Sequence, residues 1–335
     1  MTRIITFLTI LLATLTAQAN FVVEPSSTYI ISSVPVKFSR ITELVTHSMV
    51  DIEYYNSSTQ KVEVYAPENL TRFIKIEHNY KTLSVKLTES LTIKGNCTLK
   101  VIVYSPDVTS FRTNSSGDIR IMNALERDGE IICVTNSSGD IIGSNIKAPR
   151  IKLVTNSSGD IKFDSLKGTS LNAICVSSGD IRCESAIAHN VNLYSNYSGD
   201  VFVSKIVSNS FSAATNSSGD ISVTKSLNSA NVKAVSSSSG DIRLSGITCD
   251  IIEATSGSSS SIILNGVCDS AKLSASSCSD ILAGGLKAKT VTATTTSSSS
   301  SIKCYAVNRL EMRQAKNSTI FNSAPGHNTR IITEN

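Results

Sequence analysis

The heptapeptide TNSSGDI restricts the fold of this chain more than any other feature. It occurs four times in 335 residues, beginning at Thr113, Thr135, Thr155 and Thr215. Its core, SGD, recurs about every 20 residues, with its acidic residue at Asp118, Asp140, Asp160, Asp180, Asp200, Asp220 and Asp241. Weaker copies put Ser261, Asp280 and Ser301 at the Asp position, and Asn317–Ile320 is a last, degenerate copy. About eleven copies of one unit are typical of a repeat architecture.

The residues between the motifs alternate in polarity, and this period indicates strands, because successive side chains of a strand point to opposite faces. The stretch Ile151–Thr155 is an example. An apolar residue follows each Asp position: Ile119, Ile141, Ile161, Ile181, Val201, Ile221, Ile242, Ile262, Ile281 and Ile302. Most copies have a second apolar position five residues later: Ile146, Leu166, Ile206, Ile247, Val267, Leu286 and Val307.

A unit of this length cannot bury its apolar side alone, whereas stacked units can. The sequence therefore predicts an all-β fold, a right-handed single-stranded parallel β-helix (β-solenoid) with about 20 residues per coil. Neighbouring coils should lie about 4.8 Å apart. Residues 20–110 are predicted to form an N-terminal cap with irregular opening coils. Residues 111–335 are predicted to form regular coils with a C-terminal cap, in one continuous domain with 20–110.

Residues 1–19 have the pattern of a secretory signal peptide. Arg3 precedes the apolar run Ile4–Thr16, which is too short to span a membrane, and Ala17–Ala19 matches a cleavage site. No later apolar run is long enough for a span, so we expect no transmembrane segment in the mature chain. The protein is therefore expected to be exported, and to be periplasmic, outer-membrane-associated or extracellular.

The SGD motif is predicted to form one corner of each coil. We expect its glycine to supply a backbone angle that other residues adopt at a cost; the glycines are Gly117, Gly139, Gly159, Gly179, Gly199, Gly219 and Gly240. The seven Asp residues, Asp118 to Asp241, would then form a column with about 5 Å between neighbours, where like charges repel. Hydrogen bonds to corner N–H groups and serine hydroxyls would offset this repulsion. A row of Ca²⁺ ions on the same carboxylates is the alternative.

Most of the eight cysteines are predicted to be small core residues. Cys133 is in register with Leu153, and Cys183 and Cys304 stand two residues after the inward apolar position. Cys249 and Cys268 differ, because each lies twelve residues before the next Asp position. They are predicted to be vertical neighbours, and they form a candidate disulfide if the compartment is oxidising.

Composition and spacing argue against catalysis and nucleic-acid binding. The net charge is +4 and the basic residues are dispersed, whereas phosphate binding needs a concentrated basic face. The four histidines are isolated, and no cluster of Asp, Arg and Lys interrupts the coils. We therefore expect no catalytic residues, no metal, no cofactor and no enzymatic activity. Trp is absent and aromatic residues make up 5%, which is little for an aromatic carbohydrate platform.

The segment Val50–Leu87 resembles the start of a known bacterial family. It contains V-x-V-x-A-x-x-N-L and then a T-L-x-V strand, through Val62, Val64, Ala66, Asn69, Leu70, Thr82, Leu83 and Val85. This pattern is similar to the "putative auto-transporter adhesin, head GIN domain" family, and the SSGDI repeats fit it as well. The resemblance implies a right-handed β-helix in an exported envelope protein. It carries over no functional residues, because the family's activity is unassigned.

These observations predict a non-enzymatic, exported scaffold that serves as an adhesin or binds a glycan or an envelope protein. Its contact surface is expected to be a flat polar face with columns of Ser, Thr and Asn. Two alternatives stay open. One is a polysaccharide-active β-helix enzyme, and the other is a structural envelope protein that associates end to end.

Overall fold

The computed structural model describes residues 21–35, 40–88, 91–324 and 328–333; the predicted signal peptide lies outside these residues. The described chain contains 25 strands and one turn of 3-10 helix (Thr71–Phe73). The strands that precede the first SGD motif are β1 (Phe21–Val23), β2 (Tyr29–Val34), β3 (Glu43–Thr46), β4 (Asp51–Asn56), β5 (Lys61–Pro67), β6 (Ile74–Asn79), β7 (Thr82–Leu87), β8 (Leu91–Ile93), β9 (Lys100–Ser105) and β10 (Ser110–Thr113).

The remaining strands build the coils. They are β11 (Ile119–Ile121), β12 (Leu125–Glu126), β13 (Glu130–Thr135), β14 (Ile141–Lys147), β15 (Arg150–Thr155), β16 (Ile161–Cys175), β17 (Ile181–Ser195), β18 (Val201–Thr215), β19 (Ile221–Ser236), β20 (Ile242–Ser256), β21 (Ser261–Ala275), β22 (Asp280–Thr295), β23 (Ser301–Gln314), β24 (Thr319–Asn322) and β25 (Asn328–Thr333). No helix of the described chain is long and apolar enough to cross a membrane.

Each strand from β16 to β22 runs from one corner motif to the next and pairs in parallel with the strands of the coils on either side. The register joins equivalent residues, as in Ile161 with Ile181 and Ile181 with Val201. The result is a β-solenoid of about eleven turns with a spacing of about 20 residues, which confirms the predicted fold class. Its right-handed coiling stays a prediction.

The apolar residue after each Asp position points into the solenoid. All ten of these side chains, Ile119 to Ile302, are buried. A fully buried Ile contributes roughly 1.5–3 kcal/mol, so this column makes a substantial contribution to stacking, together with the other residues of the same core. Cys133, Cys183 and Cys304 are buried in the same core, as predicted.

The second apolar position is buried in five coils and exposed in two. Val267 and Val307 are 48% and 42% exposed. The pairing of β20 with β21 shifts by a bulge after Leu244, so that Gly266 rather than Val267 stands opposite Ile247. A similar shift between β22 and β23 aligns Ala306 with Ala288 and leaves Val307 outside.

The N-terminal region stacks in an order that differs from its order in the chain. Strand β3 lies between β7 and β10, because Leu44 pairs with both Leu83 and Phe111. Strand β4 likewise lies between β9 and β11. The chain thus forms one coil over residues 43–56, leaves it to build the end of the stack, and returns at β10. Antiparallel strands β2, β5 and β6 lie beyond β9 and β7 at this end.

Candidate binding surface

The glycine of each SGD corner lies directly against the backbone of the preceding coil. A Cβ atom on Gly159 would lie 2.3 Å from the carbonyl oxygen of Gly139. The other six corner glycines show the same approach at 2.2–2.4 Å: Gly117, Gly139, Gly179, Gly199, Gly219 and Gly240. The prediction that these glycines supply a special backbone angle was wrong, since none of them has a left-handed φ. They are required because neighbouring coils leave no room for a side chain.

The Asp residues form a continuous hydrogen-bonded column. The backbone N–H of Asp160 donates to Oδ1 of Asp140 at 2.8 Å, and the N–H of Asp180 donates to Oδ1 of Asp160 at 2.8 Å. The same bond, at 2.8–3.0 Å, joins each pair of neighbours from Asp118 to Asp241. Each bond satisfies a backbone donor at the corner and is charge-assisted, which makes it stronger than a neutral hydrogen bond.

This column extends past the SGD motif at both ends. At one end, Asp118 N–H donates to Oδ1 of Asp51 at 2.9 Å. At the other end, Ser261 N–H donates to Oδ1 of Asp241 at 2.9 Å. Asp51 was not predicted as a member of the column because Met49 and Val50 precede it in place of the Ser-Gly of the SGD motif. The signal that could have identified it is the following Ile52, which pairs with Ile119 in the core.

Three arginines partly neutralise the column. Arg120 bonds to Asp118 at 2.8 Å, Arg182 bonds to Asp180 at 2.7 Å, and Arg243 spans Asp220 and Asp241 at 2.6 Å each. These contacts place positive charge at intervals along a row of negative charge.

Three carboxyl groups of the column have raised pKa values. Burial raises the pKa of Asp51, Asp140 and Asp200 above its usual value, and the neighbouring carboxylates raise it further. The hydrogen bond from the next coil opposes this rise in each case. The ionised form of these three groups is therefore less favourable in the folded protein than in water.

The Ca²⁺ alternative for Asp118, Asp140, Asp160, Asp180, Asp200, Asp220 and Asp241 gains no support from this geometry. One carboxylate oxygen of each is occupied by a backbone donor, as described above. Within the described residues, no group of three or more His, Cys, Asp or Glu side chains is arranged to hold a metal ion. The hydrogen bonds offer a sufficient account of the repeated Asp.

A buried column of hydroxyl groups supports the corner from inside. Thr113, Thr135 and Thr155 each donate at 2.8 Å to the carbonyl oxygen of the corner glycine in the following coil. The acceptors are Gly139, Gly159 and Gly179. The repeated Thr at the start of TNSSGDI is therefore explained by a carbonyl that would otherwise be buried without a donor.

On the outside of the same corner, asparagine side chains form an amide column. Asn136 Nδ2 donates to Asn114 Oδ1 at 2.7 Å, and Asn156 Nδ2 donates to Asn136 Oδ1 at 2.7 Å. Asn192 and Asn172 repeat the contact at 2.9 Å on the adjoining face. The amide groups of successive coils thus point in the same direction and are separated by one interstrand spacing.

The face next to the amide column is less polar than predicted. By alternation along the strands, one outward position in six successive coils is apolar: Val134, Val154, Ile174, Tyr194, Ala214 and Val235. Val134 and Val154 are buried despite this outward direction. The surface therefore combines a strip of apolar side chains with amide columns on either side, which is a mixed surface rather than a uniformly polar one.

Tyrosines are concentrated on the N-terminal cap. Six of the nine lie before β10: Tyr29, Tyr54, Tyr55, Tyr65, Tyr80 and Tyr104. Tyr29 stacks on Tyr65 with 5.1 Å between ring centroids, and Tyr55 stacks on Tyr104 at 4.9 Å. Lys100 and Lys61 lie over Tyr65 and Tyr104 at 5.1 and 5.8 Å. The faces of these rings are covered by other residues of the protein, which indicates a structural role. The low aromatic content of the whole chain did not reveal this local cluster.

Cys249 and Cys268 pair in register on β20 and β21, as predicted. Both are free thiols in the structure, so the disulfide stays a prediction. A hydrogen bond between the two thiols raises the pKa of Cys249 and lowers that of Cys268. They line a cleft of about 570 Å³ together with charged residues of the same and the following coil: Asp250, Asp269, Lys287 and Lys289.

Comparison with solved structures shows a shared fold at low sequence identity. A crystal structure described as a putative adhesin from Bacteroides fragilis is 20% identical, with a TM-score of 0.52 over 72% of this chain and 98% of that chain. Two structures from Parabacteroides distasonis are more distant. One is described as a putative lipid binding protein (14% identity, TM-score 0.46, 92% of this chain and 100% of that chain) and one as a putative adhesin (13%, 0.42, 93% and 100%).

No curated protein matches the sequence. The sequence profile of one family does match, over residues 40–224 and again over residues 205–324. These two segments cover the opening coil, most of the cap and nearly all of the regular coils described above. The chain therefore belongs to the family described as "Putative auto-transporter adhesin, head GIN domain".

Proposed function

We propose that this protein is an exported, non-enzymatic binding scaffold of adhesin type, and that it binds a glycan through the amide column at its SGD corners. The observation that carries the proposal is the alignment of Asn114, Asn136 and Asn156 by hydrogen bonds of 2.7 Å. These side chains are held in place before any ligand arrives, so that binding would cost little side-chain entropy.

The amide groups keep unused hydrogen-bonding capacity. A primary amide has two N–H donors and two acceptor lone pairs. Within the column, Asn136 uses one donor toward Asn114 and one acceptor toward Asn156. The remaining donor and acceptor suit the hydroxyl groups of a saccharide, which both donate and accept.

The repeat also favours a repeating ligand. Equivalent amides recur at one interstrand spacing of about 4.8 Å, so one polymer chain can contact several coils at once. Contacts made by linked units reinforce one another through effective concentration, even if each is weak. The more exposed part of the apolar strip, from Ile174 to Val235, continues along the same face in the following coils and suits the apolar face of a sugar ring.

The family description and the predicted signal peptide support an exported or surface protein. Antibody labelling of intact cells, compared with permeabilised cells, tests this part of the proposal. Labelling of intact cells would agree with an adhesin. Labelling only after permeabilisation would confine the protein to the periplasm and would contradict a role in adhesion.

The binding role is tested with the purified mature protein on an array of envelope and host glycans, followed by titration of the best ligand. The double substitution Asn136→Ala and Asn156→Ala should weaken binding at least tenfold, whereas Asn209→Ala, an exposed amide within β18, should not. Unchanged affinity in the double variant, with an unchanged melting temperature, would contradict the proposed surface.

Three further outcomes would replace the proposal. Capture of an envelope protein instead of any glycan would change the partner class. Turnover of an acidic glycan would establish the enzyme alternative. Concentration-dependent growth of end-to-end oligomers in sedimentation would favour the structural alternative.

A further inference from the structure

We propose that Cys249 and Cys268 form a reversible dithiol–disulfide site that exchanges with small disulfides entering through the adjoining cleft. This inference does not depend on the proposed binding function. It rests on the register of two strands, on the cleft, and on a local break in the repeat.

The register brings the two cysteines into the geometry that a disulfide requires. Cys249 on β20 stands opposite Cys268 on β21 in a parallel pairing. Neighbouring strands lie about 4.8 Å apart, and disulfides join Cα atoms that are about 4.4–6.8 Å apart. Closure therefore needs side-chain rotation and little movement of the backbone.

No other two cysteines in the described chain are paired in register. Cys133 stands between Phe111 and Leu153. Cys175 pairs with Thr155 and Ser195, and Cys183 with Phe163 and Val203. These thiols are buried among residues that cannot form a bridge, so they provide matched controls within one protein.

A reagent can reach the pair. The two side chains are only 8% and 5% exposed, yet both open onto the cleft of about 570 Å³. Lys287 and Lys289 line this cleft, and Lys289 bonds to Asp269 at 2.6 Å. The hydrogen bond between the two thiols, burial, and the carboxylates of Asp250 and Asp269 raise the pKa of Cys249, whereas the hydrogen bond from Cys249 lowers that of Cys268, so Cys268 is the attacking thiol.

The repeat is broken at this place. Gly246 and Gly266 have φ values of +63° and +144° and lie a few residues before each cysteine, next to the bulge between β20 and β21. The corner glycines of the SGD coils have no such angles. Two glycines with left-handed φ therefore accompany an in-register cysteine pair, and this combination occurs once in the described chain.

The exchange consists of two thiol–disulfide steps. One protein thiolate attacks a sulfur of a low-molecular-weight disulfide, which forms a mixed disulfide and releases one small thiolate. The second protein thiolate attacks the protein-side sulfur of the mixed disulfide and releases the second small thiolate. The two protein sulfurs lose two electrons and two protons, and the small disulfide becomes two thiols. An added dithiol reductant reverses the sequence.

The bridge would reinforce the last two coils that the Asp column still joins. The last bond of that column runs from the N–H of Ser261, the first residue of β21, to Asp241, the residue before β20. Beyond it, the carboxylate-to-backbone bond is lost. A covalent link between Cys249 and Cys268 would therefore add to the last bond of the column and strengthen the coil pair at which the column ends.

The test uses the full mature protein, incubated folded with oxidised or reduced glutathione, then alkylated and mapped by mass spectrometry. With the oxidised form we expect a mass loss of two hydrogen atoms and one linked peptide that contains Cys249 and Cys268. The melting temperature should rise and should return to its starting value after treatment with dithiothreitol. Cys133→Ser and Cys183→Ser should leave all of this unchanged.

Cys278 is exposed and has no cysteine partner, so its mixed disulfide with glutathione shows that the reagent is active. Cys268→Ser should abolish the linked peptide and the rise in melting temperature. If Cys249 and Cys268 of the parent protein stay fully alkylatable while Cys278 reacts, the proposal is wrong. A linked peptide that forms only in denaturant would also contradict it.

Discussion

The seven SGD corners and the four serine-rich corners that follow them turn the chain in different ways. In the first group, glycine lies against a carbonyl group of the preceding coil and no residue of the corner has a left-handed φ. In the second group, serine replaces that glycine at Ser260, Ser279, Ser300 and Ser318. Every one of these corners then contains one or two non-glycine residues with φ between +52° and +70°: Ser258, Ser259, Ser277, Cys278, Ser299 and Asn317.

The substituted serines show why the backbone changes. All four are buried, and their hydroxyl groups bond within or beside the corner. Ser260, Ser300 and Ser318 each donate to the carbonyl three residues earlier, at 2.7–2.9 Å. The side chain needs space that the SGD corner does not have, and the residues that precede it adopt a left-handed conformation. Such strain costs on the order of 1–3 kcal/mol per residue.

The comparison predicts first that the SGD corner does not tolerate a side chain. Gly159→Val should destabilise the protein by about 3 kcal/mol or more, because its Cβ would lie 2.3 Å from the carbonyl oxygen of Gly139. Gly129→Val is the control, since nothing lies within 4 Å of its Cβ position. Denaturant unfolding measures both. Equal stabilities of Gly159→Val and the parent would show that the coils separate easily.

The second prediction concerns the Asp column, which only the SGD group has in full. Asp160→Ala removes the acceptor for the N–H of Asp180 and should cost roughly 1.5–3 kcal/mol, as expected for a hydrogen bond to a charged group. Asp160→Asn keeps an acceptor oxygen and should change the free energy of unfolding by less than about 0.5 kcal/mol. If both variants lose the same amount, charge rather than hydrogen bonding holds the column.

The third prediction addresses the strain of the serine-rich corners. Ser299 has a φ of +65°, so Ser299→Gly should raise the free energy of unfolding by about 0.5–1 kcal/mol, because glycine adopts this angle without cost. The neighbouring Ser298 has no left-handed φ, and Ser298→Gly should be neutral or destabilising. If both substitutions stabilise the protein, the left-handed φ of Ser299 is not the cause of the effect.

The smallest effect is expected in the pH dependence. Burial raises the pKa of Asp140, so the folded protein binds this proton more tightly than the unfolded chain. Stability from this group is therefore greatest below its ordinary value of 3.8 and is lost as the pH rises through the raised value. Asp140→Asn should make the stability less dependent on pH in this range and slightly higher at neutral pH. Asp128→Asn, an exposed acid outside the column, should not alter the slope.

The regular coils could be predicted from sequence because their apolar pattern and their period agree. The isoleucines from Ile119 to Ile302 were placed correctly by alternation alone. The same pattern does not show that Val267 and Val307 are exposed, because bulges shift the pairing of adjacent coils there. A bulge depends on which residues of two different coils face each other, and this is not contained in the local pattern of either.

The corner and the cap show two other limits. The sequence identified Gly159 as a required glycine but not the reason. The reason is the close contact with the carbonyl oxygen of Gly139, which becomes a neighbour only when the coils stack. The residues of the cap were identified as strands near the end of the stack. Their spatial order, with β3 between β7 and β10, could not be predicted, because the pairing partners of β3 follow it in the chain by about 40 and 70 residues.

The bonds of the Asp column join each corner to a copy of itself, and this has a consequence for the length of the rod. Insertion or removal of one unit of 20 residues between Asp140 and Asp220 would create no new type of contact, since the same bond would form above and below. Each duplication would extend the rod by about 4.8 Å. The length of such a protein can therefore change during evolution in steps of one coil, while the cap and the end coils stay unchanged.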